Sequence, residues 1–127
     1  MFGAKGVKAG DQVPDLTLSD QRGQSVSLAS FRGKPLVVYF YPKDETPLCT
    51  AEACGFRDQY EDFTAAGAEV VGISSDDESS HRAFAQRHKL PFVLLTDKDE
   101  QARRAFGVPK SLGIMPGRVT YVIDPTG

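Results

Sequence analysis

This chain contains four short apolar runs, which lie at residues 36–41, 69–73, 92–95 and 119–123. These runs are mostly continuous rather than alternating, a pattern typical of strands that are covered on both faces. Helical patterns lie between the runs. The sequence therefore predicts an α/β fold in which helices flank a central sheet that is mostly parallel or mixed.

Two further segments alternate between apolar and polar residues. They are residues 16–18 and 26–28, on either side of Gln21, Arg22 and Gly23. Alternation on both sides of turn-forming residues is the pattern of an antiparallel pair with one buried face. The sequence predicts an N-terminal β-hairpin ahead of the first buried strand.

The longest helical pattern follows the first apolar run. It begins at Thr46 as N-cap with Pro47 at the first helical position, and it ends near Gly67, which suits a left-handed terminus. One set of residues in it recurs at spacings of three and four: Cys49, Ala53, Phe56, Tyr60 and Phe63. We expect this stripe to be buried, which places the Cys49 thiol beside aromatic rings.

Two shorter helices are predicted further along the chain. The second begins near Ser75 or Ser79 and ends before Pro91, with acidic residues in its first turn and basic residues in its last turn. The third covers residues 98–106, with Asp97 as its N-cap. Each of these two helices would connect one buried strand to the next.

Length and charge limit the classes of protein that fit. A chain of 127 residues with 40% hydrophobic and 25% charged residues predicts one domain over residues 1–127, in which residues 1–10 form a loose tail. A net charge of -2 gives no indication of nucleic acid or an anionic membrane, and no segment is long enough to span a bilayer. Residues 124–127 form a turn signal, so we expect a C-terminal strand and helix to be missing.

Cys49 and Cys54 are the only cysteines in the chain. Two cysteines in a chain that can build its own core indicate a reduced compartment and a chemically active pair, rather than a disulfide scaffold. Cys49 falls at the third position of the predicted helix. Unpaired backbone N–H groups and the positive end of the helix dipole there favour thiolate over thiol. Cys49 is therefore a candidate nucleophile.

Neighbouring residues form a small pocket at Cys49. Thr46 lies three residues earlier, and its hydroxyl can hydrogen-bond to a thiolate or to a bound oxygen atom. Pro42 and Pro47 stiffen the backbone that leads to the helix. Together with the N–H groups of the first helical turn, these residues suit an oxygen-containing electrophile.

Cys54 lies five residues after Cys49. In an intact helix this spacing gives about 7.5 Å of rise and about 140° of rotation, or roughly 8.6 Å between the two Cα atoms. A disulfide requires Cα atoms closer than about 7 Å. A bond between the two thiols would therefore require the first turns of the helix to unwind.

The spacing of these residues resembles a known family. Pro42, Thr46 and Cys49 match the Pro-x-x-x-Thr-x-x-Cys motif of the peroxiredoxins, and the position of Cys54 is similar to the atypical 2-Cys branch called peroxiredoxin Q or bacterioferritin comigratory protein. Other segments that resemble this branch are residues 39–44, 52–58 and 116–124. The resemblance extends over roughly residues 10–127.

The resemblance implies a thioredoxin-like fold and the reduction of hydrogen peroxide and alkyl hydroperoxides with electrons from thioredoxin or a similar dithiol. It implies that Cys49 is the peroxidatic cysteine, that Cys54 resolves it through an intramolecular disulfide, and that Thr46 positions the peroxide. Arg118 matches the family's active-site arginine, which would stabilise the thiolate and polarise the O–O bond. No cofactor or metal is expected. We expect a cytoplasmic monomer, or a plastid protein if a transit peptide is removed.

One residue beside Cys49 departs from the family pattern. Leu48 stands where many relatives have glycine. This change removes no catalytic atom, but it can reshape the mouth of the pocket or change how easily the helix unwinds. The expected absence of a C-terminal strand and helix is the larger departure, because in relatives these elements complete the fold.

Other interpretations of the candidate residues remain open. The two cysteines could be buried structural thiols, since free cysteine is among the most buried residue types. His81 and His88 could share one helix face and join the cysteines at a zinc ion, but the ligand spacing does not match a Cys-x2-Cys site. The chain could also be a redox-responsive binding protein or holdase whose first helix unfolds on oxidation. A thioredoxin-type disulfide reductase would need Cys-x2-Cys.

The remaining charged clusters have simpler explanations. Residues 76–78 are acidic and lie where a helix begins, so they are interpreted as charges that complement the helix dipole. Arg103 and Arg104 are interpreted as part of a solvated helix face. None of these residues is predicted to take part in chemistry.

Overall fold

The computed structural model describes residues 16–106 together with residues 110–111, 115–116 and 119–123. Eight strands are found in these residues. In chain order they are β1 Thr17–Asp20, β2 Ser25–Ser27, β3 Leu36–Phe40, β4 Glu69–Ser74, β5 Val93–Thr96, β6 Lys110–Ser111, β7 Met115–Pro116 and β8 Val119–Ile123. The four predicted strands of the sheet and the predicted hairpin are confirmed, with boundaries that differ by at most one or two residues.

Helices connect the strands. In chain order they are α1 Pro47–Asp58, α2 Tyr60–Ala65, α3 Glu78–His88 and α4 Gln101–Phe106, with 3-10 turns at Leu28–Phe31 and Lys98–Glu100. Within the described part of the chain, none of these helices has the length and apolar character needed to cross a membrane.

Six strands form the main sheet in the order β2-β1-β5-β4-β3-β8. Its centre is parallel, because β4 pairs in parallel with both β3 and β5. The outer pairs are antiparallel: β8 lies beside β3, and the β1–β2 hairpin joins β5 through β1. The mixed sheet and the α/β class predicted from the apolar runs are therefore confirmed. The strands β6 and β7 pair separately.

The sheet has a core on each face, which explains why the apolar runs are continuous. Alternate residues of β3 point to opposite sides, with Leu36 and Val38 in one cluster and Val37 and Tyr39 in the other. The first cluster includes residues of α4 and of the 3-10 turn after β2. The second includes residues of α1 and α3. Both faces of the central strands are therefore packed against other elements.

The first helix is shorter than predicted. A single helix from Thr46 to near Gly67 was expected, but the helix breaks at Gln59, whose φ of -104° and ψ of 5° end α1 and precede α2. The Gln59 N–H points between the carbonyl oxygens of Gly55 and Phe56, at 3.3 and 3.2 Å, which tightens the last turn of α1. Gly67 has a φ of 82°, so its left-handed conformation after α2 is confirmed.

Acidic side chains bind the first N–H groups of the other two helices, and α3 begins between the two predicted serines, Ser75 and Ser79. Asp77 is the N-cap of α3 and accepts a hydrogen bond from the Ser80 N–H at 2.8 Å. The Asp97 carboxylate accepts hydrogen bonds from the N–H groups of Ala102 and Arg103 at the start of α4. The predicted third helix is thus divided into a 3-10 turn and α4. Burial raises the pKa of Asp97, although the hydrogen bonds from Ala102 and Arg103 oppose the effect.

The prediction that Arg103 lies on a solvated face is wrong, whereas Arg104 is exposed. The Arg103 side chain is 3% exposed, because α4 packs this face against the sheet. Its guanidinium lies 5.6 Å from the centre of the Phe40 ring and donates a hydrogen bond to the Tyr41 carbonyl at 3.1 Å. Burial lowers the pKa of Arg103. The sequence of this short helix gives no indication that Arg103 is buried.

Gly72 is required for close packing between β4 and its neighbours. A Cβ atom at this position would lie 2.8 Å from Tyr39 Cζ and 2.9 Å from Leu94 Cδ2. We expect Gly72→Ala to lower the free energy of unfolding by about 1–3 kcal/mol, because both contacts are shorter than real Cβ atoms tolerate and the neighbours are buried. Denaturant titration of the purified variant measures this change.

Gly55→Ala is the matched control for this substitution. Gly55 lies within α1, and a Cβ atom there meets nothing within 4 Å. Because alanine is favoured over glycine in a helix, the control should gain about 0.5–1 kcal/mol. Equal stabilities of Gly72→Ala and the unsubstituted protein would contradict the packing described for β4.

Candidate functional site

Cys49 lies in the first turn of α1, at the third helical position, as predicted. Its side chain is 1% exposed and belongs to the core cluster that contains Tyr39, Tyr41, Ala53 and Phe84. Cys49 and Ala53 of the predicted stripe are buried, whereas Phe56, Tyr60 and Phe63 are half-buried and pack against the same cluster. The thiol therefore lies on the inner face of the helix, beside aromatic rings, three residues after the segment that connects β3 to α1.

Thr46 ends that connecting segment and occupies the N-cap position, with an extended backbone (φ -79°, ψ 151°) and Pro47 directly after it. The Thr46 carbonyl accepts the first helical hydrogen bond, from the Thr50 N–H at 2.8 Å. The Thr46 hydroxyl does not cap the helix; it donates to the Lys43 carbonyl at 3.2 Å. In this arrangement the hydroxyl oxygen keeps its capacity to accept a hydrogen bond from a bound molecule.

Cys54 lies on the same continuous helix as Cys49, and neither cysteine is in a disulfide. Cys54 is half-buried, whereas Cys49 is fully buried. Because α1 is unbroken between the two residues, the helical separation of roughly 8.6 Å between their Cα atoms applies. The structure therefore presents the thiol pair in a geometry in which no bond can form without local unwinding.

The connecting segment, residues 42–46, is held by a buried polar cluster around Asp44. The Asp44 carboxylate accepts hydrogen bonds from the Tyr41 hydroxyl at 2.6 Å and the Ser80 hydroxyl at 2.8 Å, and it lies 2.8 Å from His81 Nδ1. The Asp44 N–H donates to the Asp76 carboxylate at 2.7 Å. This cluster joins the segment after β3 to the start of α3.

The charge of this cluster follows from its contacts. Desolvation by burial acts to raise the pKa of Asp44, but the hydrogen bond and charge of His81 and the hydrogen bonds from Tyr41 and Ser80 outweigh it and hold the pKa below its ordinary value. Burial, followed by the charge of Asp44, raises the pKa of Tyr41 well above its ordinary value. Asp44 is therefore the anion of the cluster and Tyr41 a neutral donor.

Sequence reasoning missed this cluster. Asp44 and His81 are 37 residues apart, so no local spacing connects them. His81 is the fully buried residue of the pair of histidines, whereas His88 is only half-buried. The one signal available was that His81 recurs on the apolar face of α3 with Phe84, which marks it as facing the core.

A second set of contacts links α1 to the end of α3. Glu45 has a φ of 66°, a left-handed conformation that is unusual for a residue other than glycine. Its carboxylate lies 3.0 Å from His88 Nε2. The Arg57 guanidinium, at the other end of α1, donates to the His88 carbonyl at 2.8 Å. His88 thus contacts the chain on both sides of the two cysteines.

The zinc interpretation finds no support in this geometry. Within the residues that the structure describes, the one group of three possible ligands whose atoms lie close together is Asp44, Asp76 and His81, and it contains neither cysteine. His88 contacts Glu45 instead. The two histidines and two cysteines are therefore not assembled at one point. The predicted arginine, Arg118, lies outside the described residues, as do the predicted tail and the turn at residues 124–127.

The sequence and the fold of this chain are similar to those of known proteins. A model of the AhpC/TSA family matches residues 9–127. The chain belongs to the AhpC/TSA family. Xanthomonas campestris peroxiredoxin Q is 36% identical, with a TM-score of 0.87 over 95% of this chain and 83% of that chain. BcpB from Mycobacterium tuberculosis is 38% identical, with a TM-score of 0.86 over 94% of this chain and 80% of that chain.

Plant proteins show higher identity. The chloroplastic peroxiredoxin Q of Suaeda salsa is 58% identical over 122 residues, which are 95% of this chain and 57% of that protein. The one from Arabidopsis thaliana is 57% identical and is covered to 56%. This chain thus spans a little over half the length of these plant relatives.

These similarities confirm two predictions. The chain is a member of the peroxiredoxin Q branch, which the motif around Cys49 indicated. Its fold is thioredoxin-like and matches solved peroxiredoxin Q structures.

Proposed function

We propose that this chain carries the catalytic site of a thiol peroxidase. In the first step, the Cys49 thiolate attacks one oxygen of a hydroperoxide. An S–O bond forms, the O–O bond breaks, and the other oxygen leaves as water or an alcohol after it takes up a proton. Cys49 becomes a sulfenic acid, and the peroxide is reduced by two electrons.

One observation carries this proposal above the others: Cys49 lies at the third position of α1, three residues after the segment that holds Pro42 and Thr46. Helix N–H groups there favour a negative charge on sulfur and on a nearby oxygen. Thr46 lies three residues before Cys49, so its hydroxyl can orient a peroxide that is bound at the thiol. We also propose Arg118 as the cation that polarises the O–O bond, which is consistent with its place in the family motif.

Cys54 is proposed as the resolving cysteine. Its thiol displaces the sulfenic oxygen of Cys49, so that an S–S bond forms and water leaves. Unwinding of the first turns of α1 must come before this step, because the helix keeps the thiols too far apart. A dithiol such as thioredoxin then returns both cysteines to thiols and becomes a disulfide itself.

The substrates and setting are proposed from the relatives. A bacterioferritin comigratory protein from Xanthomonas campestris has alkyl peroxide reduction activity, and this supports alkyl hydroperoxides alongside hydrogen peroxide as substrates here. Plant relatives named chloroplastic favour the plastid alternative over the cytoplasm. A monomeric state remains a prediction, which the mass of the protein in solution would test.

Steady-state turnover tests the proposed function. The protein is mixed with hydrogen peroxide, thioredoxin, thioredoxin reductase and NADPH, and NADPH consumption is followed. We expect many peroxide molecules to be reduced per chain. Consumption that stops after one equivalent would contradict the enzyme and support a redox-responsive binding protein that oxidises once.

Arg57 provides a test of the unwinding step. Arg57 lies in the last turn of α1, and unwinding that extends past Cys54 to this turn breaks its hydrogen bond to the His88 carbonyl. We expect Arg57→Ala to speed closure of the disulfide by about threefold to tenfold, since one charge-assisted hydrogen bond no longer opposes unwinding. Rapid mixing with peroxide, acid quenching and mass analysis measure the rate.

Arg82→Ala is the control for Arg57→Ala. Arg82 also donates to a backbone carbonyl, that of Gln21 at 3.2 Å, but from α3 to the hairpin. Its loss should leave the rate of disulfide closure unchanged. Equal rates for Arg57→Ala and the unsubstituted protein would show that unwinding does not disturb the contact with His88.

A further inference from the structure

The segment that holds the candidate peroxide site has little regular structure of its own. It runs from Pro42 to Thr46, between the end of β3 and the start of α1, and the backbone of Glu45 within it is left-handed. Such a segment keeps one conformation only where its surroundings impose it. Asp44 is its buried member, with 5% of its surface exposed.

The contacts of Asp44 attach this segment on two sides. Its N–H is bound by the Asp76 carboxylate, which also accepts a hydrogen bond from the Ser74 hydroxyl at 2.8 Å. Its carboxylate is bound by Tyr41, Ser80 and His81. The backbone of Asp44 is therefore held by Asp76, which follows β4. Its side chain is held by α3 and by the residue that follows β3. Rotation of this residue would break several hydrogen bonds at once.

His81 is held as firmly as Asp44. Its Nδ1 lies 2.8 Å from the Asp44 carboxylate, and its Nε2 lies 3.1 Å from the Leu95 carbonyl of β5. Both ring nitrogens therefore face oxygen atoms that can accept a hydrogen bond. The ring is fully buried and pairs with Asp44. One face of the sheet is thereby connected to the 42–46 segment.

We infer that Asp44 and His81 are positioning residues for peroxide reduction, and that their pair fixes Pro42 and Thr46 relative to Cys49. The inference rests on the proposed function. Neither residue needs to touch the peroxide, since Asp44 acts through the backbone of the segment to which it belongs. Asp44 lies two residues from both Pro42 and Thr46, and the Lys43 carbonyl beside it accepts the Thr46 hydroxyl hydrogen bond. A shift of Asp44 would therefore move both walls of the pocket.

Two substitutions of His81 separate its two contacts. The side-chain nitrogen of asparagine can take the place of Nδ1, so His81→Asn can keep a donor toward Asp44 and loses the contact with Leu95. The side-chain nitrogen of glutamine reaches the place of Nε2, so His81→Gln can keep the contact with Leu95 and loses the donor toward Asp44. Both variants are uncharged and of similar polarity, and each is the control for the other.

Two reactions of Cys49 are measured in each variant. The first is the rate constant with hydrogen peroxide in a single turnover, from competition with a haem peroxidase. The second is the rate constant of alkylation by iodoacetamide at Cys49, followed by fragmentation of the peptide, which distinguishes Cys49 from Cys54. Alkylation depends on thiolate and access but not on a pocket that orients an O–O bond. The ratio of the two constants therefore reports pocket geometry. Thermal unfolding of each variant separates this from a general loss of stability, which would expose the buried Cys49 thiol to iodoacetamide.

We expect His81→Gln to lower this ratio at least about tenfold, because misplacing catalytic groups by about 1 Å can cost about a hundredfold in rate. His81→Asn should stay within about threefold of the unsubstituted protein, because it keeps the contact that positions the segment. Equal ratios in both variants, or a ratio for His81→Gln equal to that of the unsubstituted protein, would overturn the inference.

Asp44→Asn keeps the inference testable if His81→Gln does not fold. This substitution keeps the shape of the side chain, removes its charge and replaces one acceptor oxygen by an amide group. The same selective loss of the peroxide reaction is expected, and an unchanged ratio would overturn the inference. Failure of the proposed function is a different result: in that case the unsubstituted protein itself would react slowly with peroxide.

Discussion

Cys49→Ser is expected to remove peroxide turnover, with a loss of about a thousandfold or more. A serine hydroxyl at this position is not ionised near neutral pH, and it cannot supply the sulfur that accepts the peroxide oxygen. Serine is close to cysteine in size, so the first turn of α1 and the surrounding core should stay folded. NADPH consumption coupled to thioredoxin, compared with the reaction without the protein, measures the loss.

Ala51→Ser is the control for this result. Ala51 lies in the same helix turn, but its side chain is exposed, so the substitution introduces serine next to the site without touching the core. We expect Ala51→Ser to keep most of the turnover. Thermal unfolding of both variants establishes that they fold. Turnover that survives in folded Cys49→Ser would show that another residue reacts with the peroxide.

Cys54→Ser is expected to separate the first chemical step from the catalytic cycle. The Cys49 sulfenic acid should still form, since Cys54 lies more than a helical turn away and takes no part in the attack on the peroxide. Without a second thiol, no intramolecular disulfide can form, so steady-state turnover should fall about tenfold or more. Cys49 should then accumulate as sulfenic acid and, with excess peroxide, as sulfinic acid.

Mass spectrometry after short exposure to peroxide detects these products. In Cys54→Ser we expect one or two added oxygen atoms on the peptide that contains Cys49, and no loss of two hydrogens. In the unsubstituted protein we expect the loss of two hydrogens. An unchanged catalytic cycle in Cys54→Ser would mean that an external thiol resolves the sulfenic acid, and the role proposed for Cys54 would be wrong.

The buried strands could be predicted from the sequence because their signal is local. Residues 36–40 and 69–74 are continuous apolar runs, and in the structure both faces of β3 and β4 are covered by separate clusters. The position of Cys49 within α1 was also predictable, since Thr46 and Pro47 form a helix-start signal that requires no knowledge of tertiary contacts.

The features that the sequence did not reveal depend on contacts between distant residues. The helix breaks at Gln59 although no glycine or proline stands there, and the stripe of apolar residues continues across the break. Arg103 resembles a surface residue of a short helix, yet it is buried against Phe40. The pairing of Asp44 with His81 joins two segments that become neighbours only when the sheet has formed.

The measurement that tests the central claim most directly uses the reduced protein and one equivalent of hydrogen peroxide. Intact mass and a peptide map of Cys49 and Cys54 are recorded after seconds. We predict an intramolecular bond between Cys49 and Cys54, with the loss of two hydrogens from the chain. Two thiols that remain unmodified would contradict the proposed peroxidase function and support the interpretation of both cysteines as structural thiols.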